Sequence, residues 1–250
     1  MGDVITVNGI ILSSMPMEEY DRRLVILTKE RGKISAFAKG ARRVNSHLCG
    51  VTRVFAMGTF ELYEGRNSYS IRSATISNYF NELSSDFEAV YYGYYFAELA
   101  EYYTREGIDG KEYLNLMYCA FRALSAKNMP KTLIRYVYEL RMLLVNGECP
   151  EFFFCAECTK EESLLAFSPS KYGLVCGKCL EKNKDAIMLD SSTVYTLQFI
   201  VSARLEKLFS FTVSDEVLTD LRMICGRLMS MSVDKKLKSL EVIDAVMNGI

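Results

Sequence analysis

The sequence predicts an α+β multidomain chain: a small closed β-barrel first, then a helical domain that a cysteine-rich module interrupts. Three observations predict it. Up to about residue 80 the apolar residues alternate, or run in short β-branched blocks, with turn residues between them. Beyond residue 80 they recur at helical spacing. Between two of the helical stretches, residues 152–179 read FFFCAECTKEESLLAFSPSKYGLVCGKC, with two CxxC pairs in one short segment.

The strands come in order. VITVNGIILSS (4–14) is apolar and β-branched, and RRLVILTK (22–29) is a compact β-rich run. ERG (30–32) makes a turn into KISAFAKG (33–40), where Ile34, Ala36 and Ala38 fall on one side and Lys33, Ser35, Phe37 and Lys39 on the other. RVFAMGTFELYEG (53–65) and SYSIRSATIS (68–77) flank the turn EGRNS and read as a hairpin. Five short strands cannot make a large sheet covered on both faces. Closure into a barrel removes the exposed edges, and the OB-fold is the commonest barrel of five strands. This part spans residues 1–79.

Helical periods follow at 87–106, 111–126 and 132–147, then at 192–209, 214–231 and 236–249. In the first, Phe87, Val90, Tyr91, Tyr94 and Tyr95, then Ala97, Leu99 and Tyr102, stand at packing spacings, so the tyrosines read as core rather than as a stacking surface. Pro130 opens the third helix, and Asn146-Gly147 with Pro150 closes it. Ser214-Asp215-Glu216 is an acidic helix start suited to the macrodipole. The division is therefore 80–150 for the first part of the helical domain, 151–187 for the cysteine module and 188–250 for the second part.

Half of the 250 residues are apolar and 24% are charged, an ordinary globular balance. No apolar run approaches the ~20 residues needed to span a bilayer, so no membrane role is expected. Met1-Gly2 reads as a start and spacer rather than an acylation signal, and the early Asp3 argues against a secretory leader. Eight cysteines without such a leader point to thiols or metal ligands, and to the cytoplasm.

Each CxxC places two thiolates on one tight turn. Seventeen residues separate Cys158 from Cys176, within the range of zinc sites of this kind. Cys155, Cys158, Cys176 and Cys179 would leave no open position on one Zn²⁺, so the expected metal is structural, in a zinc-ribbon-like loop. A redox pair would need a thioredoxin-like setting, and a zinc deaminase would need an H-x-E motif; the one histidine, His47, precedes Leu48-Cys49. Cys49, Cys119, Cys149 and Cys225 sit singly, mostly in apolar surroundings, and read as small core residues. Cys149, near the cluster, is an alternative ligand at a poor spacing to Cys155.

The net charge of −1 hides an asymmetry. Residues 1–80 hold eleven Lys/Arg against seven Asp/Glu, and residues 29–53 hold seven against one. Lys39, Arg42 and Arg43 leave the third strand around Gly40, while Arg22, Arg23 and Lys33 lie on the neighbouring hairpin. Cations from strands 2 and 3 and the following loop would lie on the barrel face where OB-folds bind oligonucleotides. Phe37 and Phe55 would either stack on bases or pack in the barrel. The bland alternative for the charges is a solvated loop.

GARRVNSHLCG, FELYEGRNSYSIRSATI and YELRMLLVNGECPEFFFCAEC with FSPSKYGLVCGKC resemble the RecO family of bacterial DNA repair and recombination mediators, and the order of elements agrees over essentially the whole chain. The resemblance implies an N-terminal OB-fold that binds single- and double-stranded DNA. It implies a helical domain interrupted by a zinc module, and no enzymatic activity. It further implies annealing of complementary strands and, with RecR, loading of RecA on single strands coated by single-stranded-DNA-binding protein, in a bacterial cytoplasm at the nucleoid. The acidic, aromatic-ended C-terminal tail of that binding protein would need an apolar groove rimmed by Lys/Arg; Arg135 and Arg141 are on the implied domain. In the family a basic residue commonly follows the Ser of the GARR segment; here His47 does. The other classes considered are a zinc-ribbon nucleic-acid binder in transcription and a protein-interaction scaffold with a merely structural barrel. An enzyme is disfavoured because no Walker motif, nucleophile–base pair or acidic metal cluster stands in the sequence.

Overall fold

The structure is a computed structural model that describes residues 3–66, 68–126 and 128–247. Met1-Gly2, Asn67 of the EGRNS turn and the last two residues of the 236–249 helix reading fall outside them. The chain forms two compact units, residues 1–125 with 237–250, and residues 126–236.

In the first unit five strands, β1 (Val4–Met17), β2 (Asp21–Thr28), β3 (Gly32–Ala38), β4 (Met57–Glu64) and β5 (Tyr69–Asn78), close into a barrel of order β1-β2-β3-β5-β4. All pairings are antiparallel except the short β3–β5 contact, Ala36 with Tyr69 and Phe37 with Ser70. The alternation sends Leu24, Ile26, Ile34, Ala36, Ala38, Phe60, Leu62 and Ile71 inward. Burial of such side chains contributes roughly 1.5–3 kcal/mol each, which fixes the register. At the β2–β3 turn Gly32 has φ +64°, and a Cβ there would stand 2.2 Å from the Arg105 carbonyl oxygen, so only glycine fits.

The fourth strand begins at Met57, not at residue 53. Phe55 is the reason. Its φ of 72° turns the chain out of the extended conformation, and its ring packs 5.0 Å from both Tyr94 and Phe121. Of the two roles open to this side chain, packing is the one the structure shows, against helices rather than inside the barrel. Residues 39–56 form a run of tight turns, with Arg43 N–H donating to the Gly40 carbonyl, Ser46 to Arg43 and Cys49 to Ser46. Ala41, Leu48 and Ala56 of this loop enter the barrel core, whereas Cys49, expected in a core, is exposed because the turn that buries Leu48 directs its neighbour outward.

Three helices complete the unit: α1 (Phe87–Tyr103), α2 (Lys111–Ala126) and, after the second unit, α6 (Lys238–Met247). The Asp86 side chain caps α1 by accepting from Ala89 N–H at 3.1 Å. The buried face of α1 is Ala89, Tyr92, Tyr95, Phe96, Leu99 and Ala100, whereas Phe87 and Tyr94 are exposed. The expected face was offset because this helix is apolar nearly all round, so spacing alone singles out no stripe. Glu98 accepts from the Lys238 and Ser239 N–H groups, capping α6 from α1.

The second unit holds α3 (Lys131–Val145), a three-stranded sheet of order β7-β6-β8 (Gly173–Cys176, Leu164–Ser168, Ile187–Met188), α4 (Ser191–Ser202) and α5 (Asp215–Ser232). Asp190 caps α4, and Ser214 caps α5 with Asp215 and Glu216 in its first turn. α4 stops at Ser202, short of the expected residue 209. There Arg141 Nη1 donates to the carbonyls of Ile200, Val201 and Ala203, replacing the hydrogen bonds the next turn would have made. Arg135 pairs with the fully buried Glu139 one turn on, at 2.7 Å. Both arginines considered for an acidic tail are thus engaged within the helical unit.

Candidate metal centre and nucleic-acid surface

The cysteine module is built from two tight turns brought together by a hairpin. In the first turn Cys155 N–H donates to the Lys160 carbonyl at 2.7 Å and Thr159 N–H donates back to Cys155 at 2.8 Å. Thr159 takes a φ of 60° to close it. In the second, Cys179 N–H donates to the Cys176 carbonyl at 3.0 Å, and Asn183 Nδ2 donates to the Cys179 carbonyl at 2.8 Å. β7 ends on Cys176 and pairs with β6, so the hairpin carries the second turn onto the first. Asp185 ties the β6–β7 turn down by accepting from Ser170 N–H and Ser168 Oγ. Lys171 of that turn reaches Glu157 of the first at 2.6 Å.

The four sulfurs of Cys155, Cys158, Cys176 and Cys179 lie within 4.8 Å of one another. Cys158 Sγ stands 3.7 Å from Cys176 Sγ. A tetrahedron with metal–sulfur bonds of about 2.3 Å has edges of about 3.8 Å, so the spacing fits one ion. Burial works against a thiolate at Cys155, but N–H groups of Cys176, Cys158 and Glu157 outweigh it and pull its thiol down to about 6. Cys179 is pushed up to about 12, by burial first and then by the neighbouring thiols. One thiolate suppresses the next, a conflict that a bound dication removes. Cys149 is outside the cluster, its thiol donating to the Pro150 carbonyl and held up at about 11 by burial.

The basic surface is less uniform than its sequence. Lys39, Arg42 and Arg43 are exposed, and none of the three is ion-paired among the described residues. Their loop is fixed to the β1–β2 turn: Gly40 N–H donates to Asp21 Oδ1 at 2.7 Å, Arg42 N–H to the Tyr20 carbonyl at 2.9 Å, and Arg42 Nη1 to the carbonyls of Glu18 and Glu19. Arg23 is exposed on the outer barrel face opposite Phe37, with its Nε on Ser35 Oγ. Two other cations are placed differently. Arg22 stands opposite Ala38, on the inward row at the barrel end, half-buried and bonded to Ser14 Oγ. Lys33 Nζ is half-buried on the Glu101 carbonyl, in the last turn of α1. Sequence reasoning missed Tyr20, which the β1–β2 turn carries beneath Arg43; the same turn brings Glu18, Glu19 and Asp21 close, outside the 29–53 stretch in which seven basic residues stand against one acid.

In the second unit a groove of about 430 Å³ lies between α4 and α5, lined by Tyr195, Phe199, Phe211 and Val217 with Ser and Thr side chains. Its lining contains no Lys or Arg. No helix among the described residues is long and apolar enough to cross a membrane.

Comparison with known proteins covers both units. Residues 1–80 match the family model "Recombination protein O N terminal" and residues 84–241 match "Recombination protein O C terminal". Among curated proteins, the DNA repair protein RecO of Acetivibrio thermocellus is 32% identical over 238 residues, covering 94% of each chain. The proteins of the same name from Clostridium novyi and Alkaliphilus metalliredigens are 28% and 27% identical, covering 97% and 96% of this chain and 96% and 98% of their own.

Proposed function

The chain belongs to the RecO family, and from that premise we propose that it is a non-enzymatic DNA repair and recombination mediator working in the bacterial cytoplasm. It binds single- and double-stranded DNA on the barrel, anneals complementary strands, and with RecR promotes RecA loading on single strands coated by single-stranded-DNA-binding protein. The observation that carries this reading is the exposed set Lys39, Arg42 and Arg43, held in a fixed loop at one end of an OB-ordered barrel without ion-pair partners among the described residues. Two polyanions repel; a cationic surface that neutralises both brings them close enough to pair. Arg23 extends this surface, while Arg22 and Lys33 support the barrel.

One Zn²⁺ on Cys155, Cys158, Cys176 and Cys179 supplies folding energy to the second unit and no chemistry. Protein partners fall to the helical part. The α4–α5 groove suits the aromatic end of the binding protein's tail but offers no cation to its acidic residues.

The test is a titration with single-stranded DNA at several salt concentrations. Each phosphate contact contributes about 0.7 to the slope of log affinity against log salt, so Arg42→Ala with Arg43→Ala flattens it by about 1.4. The loss is similar for oligonucleotides of different base composition, and annealing of strands coated with the binding protein falls with it. An unchanged slope in a folded variant sinks the reading.

A further inference from the structure

Resting on that reading of the basic loop, we infer that Tyr20 is a base-stacking platform within the surface, through which the protein prefers unpaired DNA to duplex. Charge alone cannot supply such a preference, because phosphates are present on both forms. A stacking ring can, since a base in a duplex already has its faces covered.

The aromatics near the loop differ in what they offer. Phe55 is buried against α1 and α2. Phe37 is half-buried on the barrel wall beside Arg23. Tyr20 is 42% exposed at the β1–β2 turn. The Arg43 guanidinium lies over its ring, 5.1 Å from the centroid. That face therefore already accepts a planar, delocalised group from the solvent side. Arg43 is itself exposed. A base can displace its guanidinium, leaving the cation beside the ring for the flanking phosphate. Cation–π attraction at an exposed site is weak enough for the exchange.

The ring is also held in register with the cations. Arg42 N–H donates to Tyr20's own carbonyl, and Gly40 N–H donates to Asp21, the next residue. Beside Arg43, Val44 is 96% exposed, an apolar side chain at the tip of a cationic turn that can meet a base edge. The arrangement is a stacking face, two cations and an apolar tip within one fixed pair of turns.

The experiment measures binding of intact protein to a single strand and to a duplex of equal length at several salt concentrations. It compares wild type, Tyr20→Ala, Tyr20→Phe and the Arg42→Ala/Arg43→Ala pair. Tyr20→Ala is expected to lose about tenfold in affinity for the single strand, 1.4 kcal/mol, with an unchanged salt slope and unchanged duplex affinity. Tyr20→Phe is expected to retain wild-type binding, since the ring rather than the hydroxyl acts. A strand carrying 2-aminopurine should be quenched on binding wild type and Tyr20→Phe, and not on binding Tyr20→Ala. Equal losses on single strand and duplex, no loss at all, or quenching that survives Tyr20→Ala overturns the inference. If the arginine pair flattens the slope while Tyr20→Ala changes nothing, the stacking inference alone fails. If the arginine pair leaves the slope unchanged, the reading of the surface fails and the inference with it.

Discussion

The cysteine module and the basic loop are both irregular segments closed by tight turns, yet they use their side chains in opposite ways. In the module the chemically active groups point inward: Cys155, Cys176 and Cys179 are buried at the centre of their own small cluster. In the loop the inward residues are the apolar Ala41, Leu48 and Ala56, and Lys39, Arg42 and Arg43 point outward. The working groups of the module are therefore its fold. Those of the loop are carried by a fold that would stand without them. Substitution should separate the two, with stability lost first in one and binding first in the other.

The largest effect is expected at the module. Replacing Cys176 with Ser removes one of the four proposed ligands. A structural zinc site is associated with about 10–16 kcal/mol, and losing a quarter of that, about 3 kcal/mol, lowers the melting temperature by roughly 10 °C for a chain of this size. Elemental analysis of fresh protein should give one zinc per wild-type chain and less in the variant. DNA affinity, measured where both proteins are folded, should change by under about threefold, since the loss stays below about 0.7 kcal/mol. Wild type without metal, or a variant of undiminished stability, would break the comparison on this side.

A smaller effect is expected where the loop does resemble the module, at its anchor. Leu48 is 3% exposed and packs in the barrel core from within the basic loop. Leu48→Ala should cost about 2 kcal/mol, the low end for such truncations, because a loop residue at the barrel end can settle into the space it leaves. Affinity for DNA should fall a few-fold, as a loosened loop must be ordered on binding. The salt slope should remain, since every cation is still present. If the slope falls instead, the cations depend on the anchor for more than position.

The two regions also differed in how far the sequence revealed them. Metal ligands must come within a few ångströms of one another, which forces close spacing along the chain, and CxxC pairs display it. Exposure imposes no spacing. Counting charges gathered Arg22, Arg23, Lys33, Lys39, Arg42 and Arg43 alike, although strand alternation turns Arg22 inward and a neighbouring helix takes up Lys33. Nor could a count over residues 29–53 include Tyr20, Glu18, Glu19 and Asp21, which reach the loop through hydrogen bonds across a turn. The barrel itself was legible because one alternation serves one face. Its visible error, the early start of the fourth strand, lies at Phe55, where the pattern continues but the residue serves the helices.

The smallest effect distinguishes two lysines from the same strand and its exit. Lys33 and Lys39 were equivalent in sequence, both on the polar side of KISAFAKG. The Lys33 ammonium lies on the carbonyl of Glu101 near the carboxyl end of α1, where the helix dipole places negative potential. Lys39 is exposed. Lys33→Ala should cost about 0.3–1 kcal/mol of stability and leave the salt slope of DNA binding unchanged. Lys39→Ala should leave stability unchanged within about 0.5 kcal/mol and flatten the slope by about 0.7. Urea unfolding and salt-dependent titration of the two variants check both halves. A flattened slope in Lys33→Ala would mean that the lysine leaves the helix end for a phosphate when DNA arrives. The DNA surface would then extend along the barrel wall toward α1, and the cations could no longer be sorted by what they touch in the free protein.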